Sequence, residues 1–149
     1  MAFIAGVYSH FSPYIFPGLP YLRRFELLQQ GWESDFDLIW DVVCKHTGIK
    51  PEQRSNTRRK RELVFARYIA MYFMAMRPVA GISKSAYYRA IAAYFGKDRA
   101  TMIHGLKLLA NMLEVYGEKW EYTPAIKAIA DELSFIWETR HYYVQRAES

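Results

Sequence analysis

Apolar residues recur along this chain at three- and four-residue intervals, in stretches separated by Gly, Pro and polar punctuation. Nowhere do apolar and polar residues alternate long enough to predict a strand. Leu19 to Gln30 reads as a short helix ended by Gly31, a residue suited to a helix C-terminus. Ser34, followed by Asp35 and Asp37, makes a favourable helix start. Phe36, Ile39, Trp40, Val43 and Cys44 then follow helical spacing until Gly48. The run "LVFARYIAMYFMAM" is apolar almost throughout, with Ile69, Tyr72, Phe73 and Met76 on one spacing. A helix this apolar belongs at the centre of a core, and Pro78 and Gly81 end it. Ser83 or Ser85 can cap "KSAYYRAIAAYF", which stops at Gly96. Asp98 is placed to cap a helix from Arg99 to Tyr116, with Ile103, Leu106, Ala110 and Leu113 on its inner stripe and Gly117 at its end. Thr123 and Pro124 open a last helix, running to about Val144.

The predicted fold is therefore all-α: a compact helical bundle over residues 34–149, with an extra helix at its C-terminal end. Residues 1–33 form an aromatic extension interrupted by Pro13, Pro17 and Pro20. That opening segment lacks a basic n-region and is too broken for a membrane helix, and no other run is long and apolar enough to span a bilayer. With 52% hydrophobic residues in 149, the chain can bury a real core. The single cysteine, Cys44, excludes an internal disulfide, reads as a small core residue and fits a reducing, cytoplasmic setting. No zinc motif accompanies it, and no cofactor or metal is expected. His10, His46, His104 and His141 are scattered, and no nucleophile–base pair or paired carboxylates stand out, so the chain does not read as an enzyme.

Charge changes the picture by where it lies. Lys and Arg total 20 against 15 acidic residues, for a net charge of +5. The excess gathers at Arg54, Arg58, Arg59, Lys60 and Arg61, in a polar loop leading into the apolar helix that carries Arg67. A loop can converge several guanidinium groups on a phosphate backbone, although a charge run also serves as a solvated surface. Downstream, "YFGKDRATMIHG" (residues 94–105) closes one helix, turns tightly through Lys97 and Asp98 and starts another, the layout of a helix-turn-helix spanning about residues 83–116. At 100° per residue, Ala100, Thr101, His104, Lys107 and Asn111 fall opposite the inner stripe. That face is small and polar at its start and meets no acidic residue before Glu114. Such a face suits close approach to a DNA groove, and equally an ordinary solvated helix. Gly105, at its flank, permits close backbone packing.

Together, "RRKRELVFARYIAMYF", "AIAAYFGKDRATMIHGLKLL" and, upstream, "IWDVVCKHTGIKPEQRS" resemble the C-terminal DNA-binding domain of the bacterial chromosomal replication initiator DnaA, over roughly residues 36–116. The resemblance implies an all-helical domain that holds double-stranded DNA, with a helix-turn-helix in the major groove and a basic-loop Arg in the adjacent minor groove. It places Arg58, Arg59 and Arg61 in the basic loop, and Arg67 at the Arg of a Pro-Arg-Gln motif that here reads Ala66-Arg67-Tyr68. The family's Arg-Asp-His-(Ser/Thr)-Thr-Val becomes Lys97, Asp98, Arg99, Ala100, Thr101 and Met102, with His104 and Lys107 following on the same helix. Arg99 and Ala100 thus stand where the family has base-reading His and Ser/Thr, and the stretch around "MRPVAGISKS" is longer than in the family. Ala100 can still meet a thymine methyl, and Arg99 can take a guanine or a phosphate. No phosphate-loop motif is present, so the expectation is a stand-alone binding module of phage or mobile-element type that marks or regulates a site in replication or transcription. The competing expectation is a structural or adaptor protein that grips a protein partner, or itself, through the aromatic N-terminus.

Overall fold

The computed structural model describes residues 33–57, 60–77 and 82–148, with side chains from Asp35 to Trp137. Its elements are α1 (Glu33–Thr47), a 3-10 turn (Pro51–Gln53), α2 (Arg61–Ala75), α3 (Lys84–Tyr94), α4 (Arg99–Tyr116), a second 3-10 turn (Gly117–Lys119) and α5 (Thr123–Glu148). The described residues contain no strand, in agreement with the all-α expectation. None of their helices is long and apolar enough to cross a membrane. The short helix expected at Leu19–Gln30, and the aromatic extension up to Trp32, lie outside the described residues, as do Pro78 and Gly81.

Helix α2 is the hub. From Phe65 to Met74 every residue but Tyr68 is buried, so the helix must be covered on all sides. α1 packs on one side of it and α4 on the other, α3 closes against α4 and the end of α2, and α5 lies along α1. The buried Tyr87 of α3 donates its hydroxyl proton to the Met74 carbonyl at 2.8 Å, beside the Arg77 N–H that the same carbonyl accepts at 3.2 Å, and so ties α3 to the last turn of α2. Cys44 is buried, and burial, helped by Asp41 and Glu52, pushes its thiol up to about 12, so it is an unreactive core group.

Two features depart from the sequence reading. Asp35 does not serve as a solvated first-turn carboxylate. It is 1% exposed and paired with Arg77, itself 2% exposed, whose guanidinium lies 5.6 Å from the centre of the Trp137 ring. This buried pair joins the start of α1, the end of α2 and α5. In α4 the buried stripe is Met102, Leu106, Leu109, Ala110 and Leu113, while Ile103 is half-exposed. The helix is rotated from the expected setting because it turns Gly105 toward α2. The last helix starts at Thr123 as expected and extends past Val144 to Glu148. It buries Ile126, Ile129, Leu133 and Trp137 at helical spacing, and Glu132 takes hydrogen bonds from Lys45 and His46 of α1, each at 2.9 Å.

Candidate nucleic-acid interface

The α3–turn–α4 unit is built by local rules. Ser83 caps α3, its Oγ accepting from the Ala86 N–H at 3.1 Å. At the other end the N–H groups of Gly96 and Lys97 donate to the carbonyls of Ala93 and Ala92, both at 2.9 Å. This is a Schellman closure, and it needs the positive φ of +67° that Gly96 supplies. Asp98 then caps α4, its Oδ1 accepting from the Thr101 N–H at 2.8 Å. Hydrogen bonds from the Thr101 hydroxyl and backbone hold the Asp98 carboxyl below the usual carboxylate range. The four residues Phe95 to Asp98 therefore fix the angle between the helices.

α1 and α2 fix where this unit sits. Phe95 is fully buried and meets Trp40 edge-on at 5.3 Å. Tyr94 meets Phe36 edge-on at 5.5 Å and donates its hydroxyl proton to Asp37. On the other side α4 approaches α2 so closely that a Cβ on Gly105 would lie 2.3 Å from Cδ1 of Tyr68. Arg99, Ala100, His104, Lys107 and Asn111 are left exposed on α4, with Lys97 and Thr101 half-exposed beside them. An open cleft of about 270 Å³ runs between α3 and α4. Ile103, Leu106 and Tyr88 give it an apolar floor, and Lys84, Arg99 and Lys107 a cationic rim.

The loop between α1 and α2 lies against the same turn. Arg54 places its guanidinium 4.0 Å from the centre of the Tyr94 ring and 3.7 Å from Asp37. Ser55 Cβ sits 3.5 Å from where Gly96 would carry a Cβ. Trp40 donates its indole N–H to the Pro51 carbonyl at 3.0 Å. Arg58 and Arg59 lie outside the described residues. Arg61, at the start of α2, is exposed and paired with Glu121, its guanidinium 5.3 Å and 5.5 Å from the ring centres of Phe65 and Tyr122.

Arg67 is in a different situation from these surface cations. It is 3% exposed and turned inward, donating to the Arg54 carbonyl at 2.9 Å, the Gln53 carbonyl at 3.0 Å and the Asn56 carbonyl. Burial holds its guanidinium below the usual range, and among the described residues no carboxylate pairs with it.

Residues 36–108 match the family described as "Bacterial dnaA protein helix-turn-helix". This stretch is a DnaA-type helix-turn-helix domain. Over 80 residues the chain is 39% identical to the chromosomal replication initiator protein DnaA of Bacteroides thetaiotaomicron and 36% identical to that of Bacteroides fragilis. Over 82 residues it is 30% identical to that of Thermoanaerobacter sp.. These matches cover 53–55% of this chain and only 16–17% of each relative. No solved structure matches significantly. The DnaA-type domain thus takes in α1, the basic loop, α2, α3 and the first half of α4, while α5 lies beyond the match.

Within the DnaA-type domain the structure brings Lys97, Asp98, Arg99, Ala100, Thr101, His104 and Lys107 together at one end and one face of α4. It sets Arg61 apart at the Glu121 contact and Arg67 inside the loop. Reading the sequence did not find Lys84 and Tyr88, because their approach to α4 depends on how two helices cross. It also did not single out Arg54 as part of the helix-turn-helix surface. The local signal was there, since Arg54 opens the basic cluster, but its partners Asp37 and Tyr94 lie on two other helices.

Proposed function

We propose that the DnaA-type domain binds double-stranded DNA, with α4 in the major groove and the basic loop at the phosphates and the neighbouring minor groove, and that it marks or regulates a site in replication or transcription in the cytoplasm. The observation that carries this reading is the exposed face of α4. It is small at Ala100 and Thr101 and cationic at Arg99 and Lys107, and the cationic cleft and the turn-docked loop flank it. The major groove, about 12 Å wide, admits a helix, and a small leading turn lets the helix axis approach the base edges. Asp98, which precedes this face in the chain, has a carboxylate oxygen engaged by the cap. Arg99 is placed to take a guanine bidentately or hold a phosphate, and Ala100 to meet a thymine methyl. Lys97, His104 and Lys107 serve register on the phosphates, and Arg58, Arg59 and Arg61 supply most of the sequence-independent affinity.

The test is fluorescence anisotropy on duplexes retained from a random library, repeated across a salt series. Binding should weaken steeply with salt, log K falling by about 0.9 per log unit for each phosphate neutralised. An enriched motif should emerge, and Arg99→Ala should change it. The joint change of Arg58, Arg59 and Arg61 to Ala should weaken every duplex alike. Normal duplex binding by that triple variant would end this reading. An adaptor acting through its aromatic N-terminus would instead show no preference among unrelated duplexes.

A further inference from the structure

Three carbonyls of the basic loop converge on one buried side chain. Arg67 Nε donates to the carbonyl of Arg54, and its Nη2 donates to those of Gln53 and Asn56. Gln53 ends the 3-10 turn that Pro51 begins; its carbonyl also accepts the Asn56 N–H at 3.1 Å, and the Arg54 carbonyl that follows stands among the acceptors that a helical turn leaves open at its C-terminus. An acceptor left unpaired beside the core keeps its full desolvation penalty. The guanidinium is equally dependent on these carbonyls, because a buried charge needs hydrogen-bond partners and this one has no described carboxylate. The planar fork of donors suits acceptors that lie in different directions around one head group, a geometry that a Lys ammonium on a flexible stem does not reproduce.

What this clamp holds is specific. It fixes residues 53–56 while Trp40 fixes Pro51, and in that setting Arg54 covers Tyr94 and Ser55 lies where it would meet a Cβ placed on Gly96. The clamped residues are therefore the ones seated on the turn between α3 and α4. The chain leaving the clamp at Asn56 carries the basic run and re-enters α2 at Arg61, on the helix that supplies Arg67 itself.

We propose that Arg67 is a positioning residue: it sets the basic loop in register with the helix-turn-helix and supports DNA binding through the loop rather than by touching DNA. The proposal rests on the DNA-binding reading above, so its test has one arm that uses no DNA.

In the DNA-free arm, amide hydrogen exchange is followed at Ser55, Asn56, Gly96 and Lys97 in the unaltered chain and in Arg67→Met and Arg67→Lys. Both variants should speed exchange at Asn56 and shift the Ser55 and Gly96 resonances, while the amides of α4 from Leu106 to Leu113 keep their protection. Unchanged exchange at Asn56 would overturn the proposal whatever the protein binds. In the DNA arm, both variants should lose about tenfold or more in affinity for every duplex, with a shallower salt slope. In the Arg58/Arg59/Arg61→Ala background the same changes should lose little further. A direct phosphate contact would instead add its own loss in that background, and Arg67→Lys would restore much of the binding. Either result overturns the proposal. If no duplex is bound by the unaltered chain, the DNA-binding reading fails while the exchange arm still decides the clamp. Should Arg67→Met not fold, Arg67→Lys keeps the charge and most of the stem and carries the same comparison.

Discussion

Placing a single methyl group at Gly105 tests how tightly α4 is seated on α2. A Cβ there would lie 2.3 Å from Cδ1, 2.4 Å from Cε1 and 2.8 Å from Cγ of Tyr68. Ordinary carbon contacts sit at about 3.5–4.0 Å, so the overlap exceeds about 1 Å on two ring atoms. Turning the ring about its own axis does not relieve the contact at Cγ, which lies on that axis. Tyr68 must change χ1, against Phe65 packed edge-on at 6.1 Å, or α4 must move away from α2. Overpacking of this kind costs about 1–3 kcal/mol. Against it stands the helix preference of Ala over Gly, about 1 kcal/mol at a helical position. The overlap is severe, so the upper part of the range applies and Gly105→Ala is expected to lose about 1–2 kcal/mol. At roughly 4 °C per kcal/mol for a domain of this size, the Tm falls by several degrees. Urea or thermal unfolding by circular dichroism measures it. The control is Tyr68→Ala: with the ring gone only the helix preference remains, and Gly105→Ala should then stabilise by about 1 kcal/mol. The sign therefore reverses between the two backgrounds, a coupling at the large end for residues in contact. If Gly105→Ala raises the Tm of the otherwise unaltered chain, the close seating of α4 on α2 is wrong, and with it the fixed spacing between α4 and the loop.

Three further outcomes are expected. Glu121→Gln frees the Arg61 guanidinium, so duplex affinity should rise and the salt slope steepen by about one phosphate contact; an unchanged anisotropy titration would mean that Arg61 does not face DNA. Arg77→Met leaves Asp35 buried without its charge partner and should cost about 3–5 kcal/mol in urea unfolding; a loss below about 1 kcal/mol would contradict the burial of the pair. Burial alone would raise the Glu132 carboxyl, but hydrogen bonds from Lys45 and His46 hold it below its ordinary value of 4.5. A lowered folded-state pKa gives stability that is present above the unfolded value and lost as pH falls through the folded one, so Glu132→Gln should flatten the fall in Tm below about pH 4.5. An acid limb identical in the two proteins would show that Glu132 carries none of it.

The parts of the fold legible in the sequence are those governed by nearest neighbours. The Ser83 and Asp98 caps, the turn at Gly96 and the apolar run of α2 each depend on residues within one helical turn, and local rules suffice for them. What stayed hidden depends on distant partners. Asp35 reads as a helix-start carboxylate until Arg77, just past the end of α2, is brought against it. Arg67 reads as another cation of a basic cluster, since nothing in "FARYIAM" says that its acceptors are loop carbonyls 11 to 14 residues earlier. Gly105 reads correctly as a close approach, but its partner does not: Tyr68 stands where the family motif has Gln, and its ring covers that glycine.

The same hidden contacts set how the basic loop and the helix-turn-helix stand to each other. The separation of the two candidate contact elements is not set by the chain that links α2 and α3. It is set by one face of α1. Trp40 donates to Pro51 in the loop and packs on Phe95 in the turn, while Asp37 takes both Arg54 from the loop and the Tyr94 hydroxyl from α3. Lengthening the connection between α2 and α3 by a few residues would add only a logarithmic closure entropy, a fraction of a kcal/mol. Changes on α1 act differently. Trp40→Ala removes a hydrogen bond to the loop and an aromatic partner of the turn at once, so it should uncouple the loop from α4 even though neither the basic run nor the exposed face of α4 is altered.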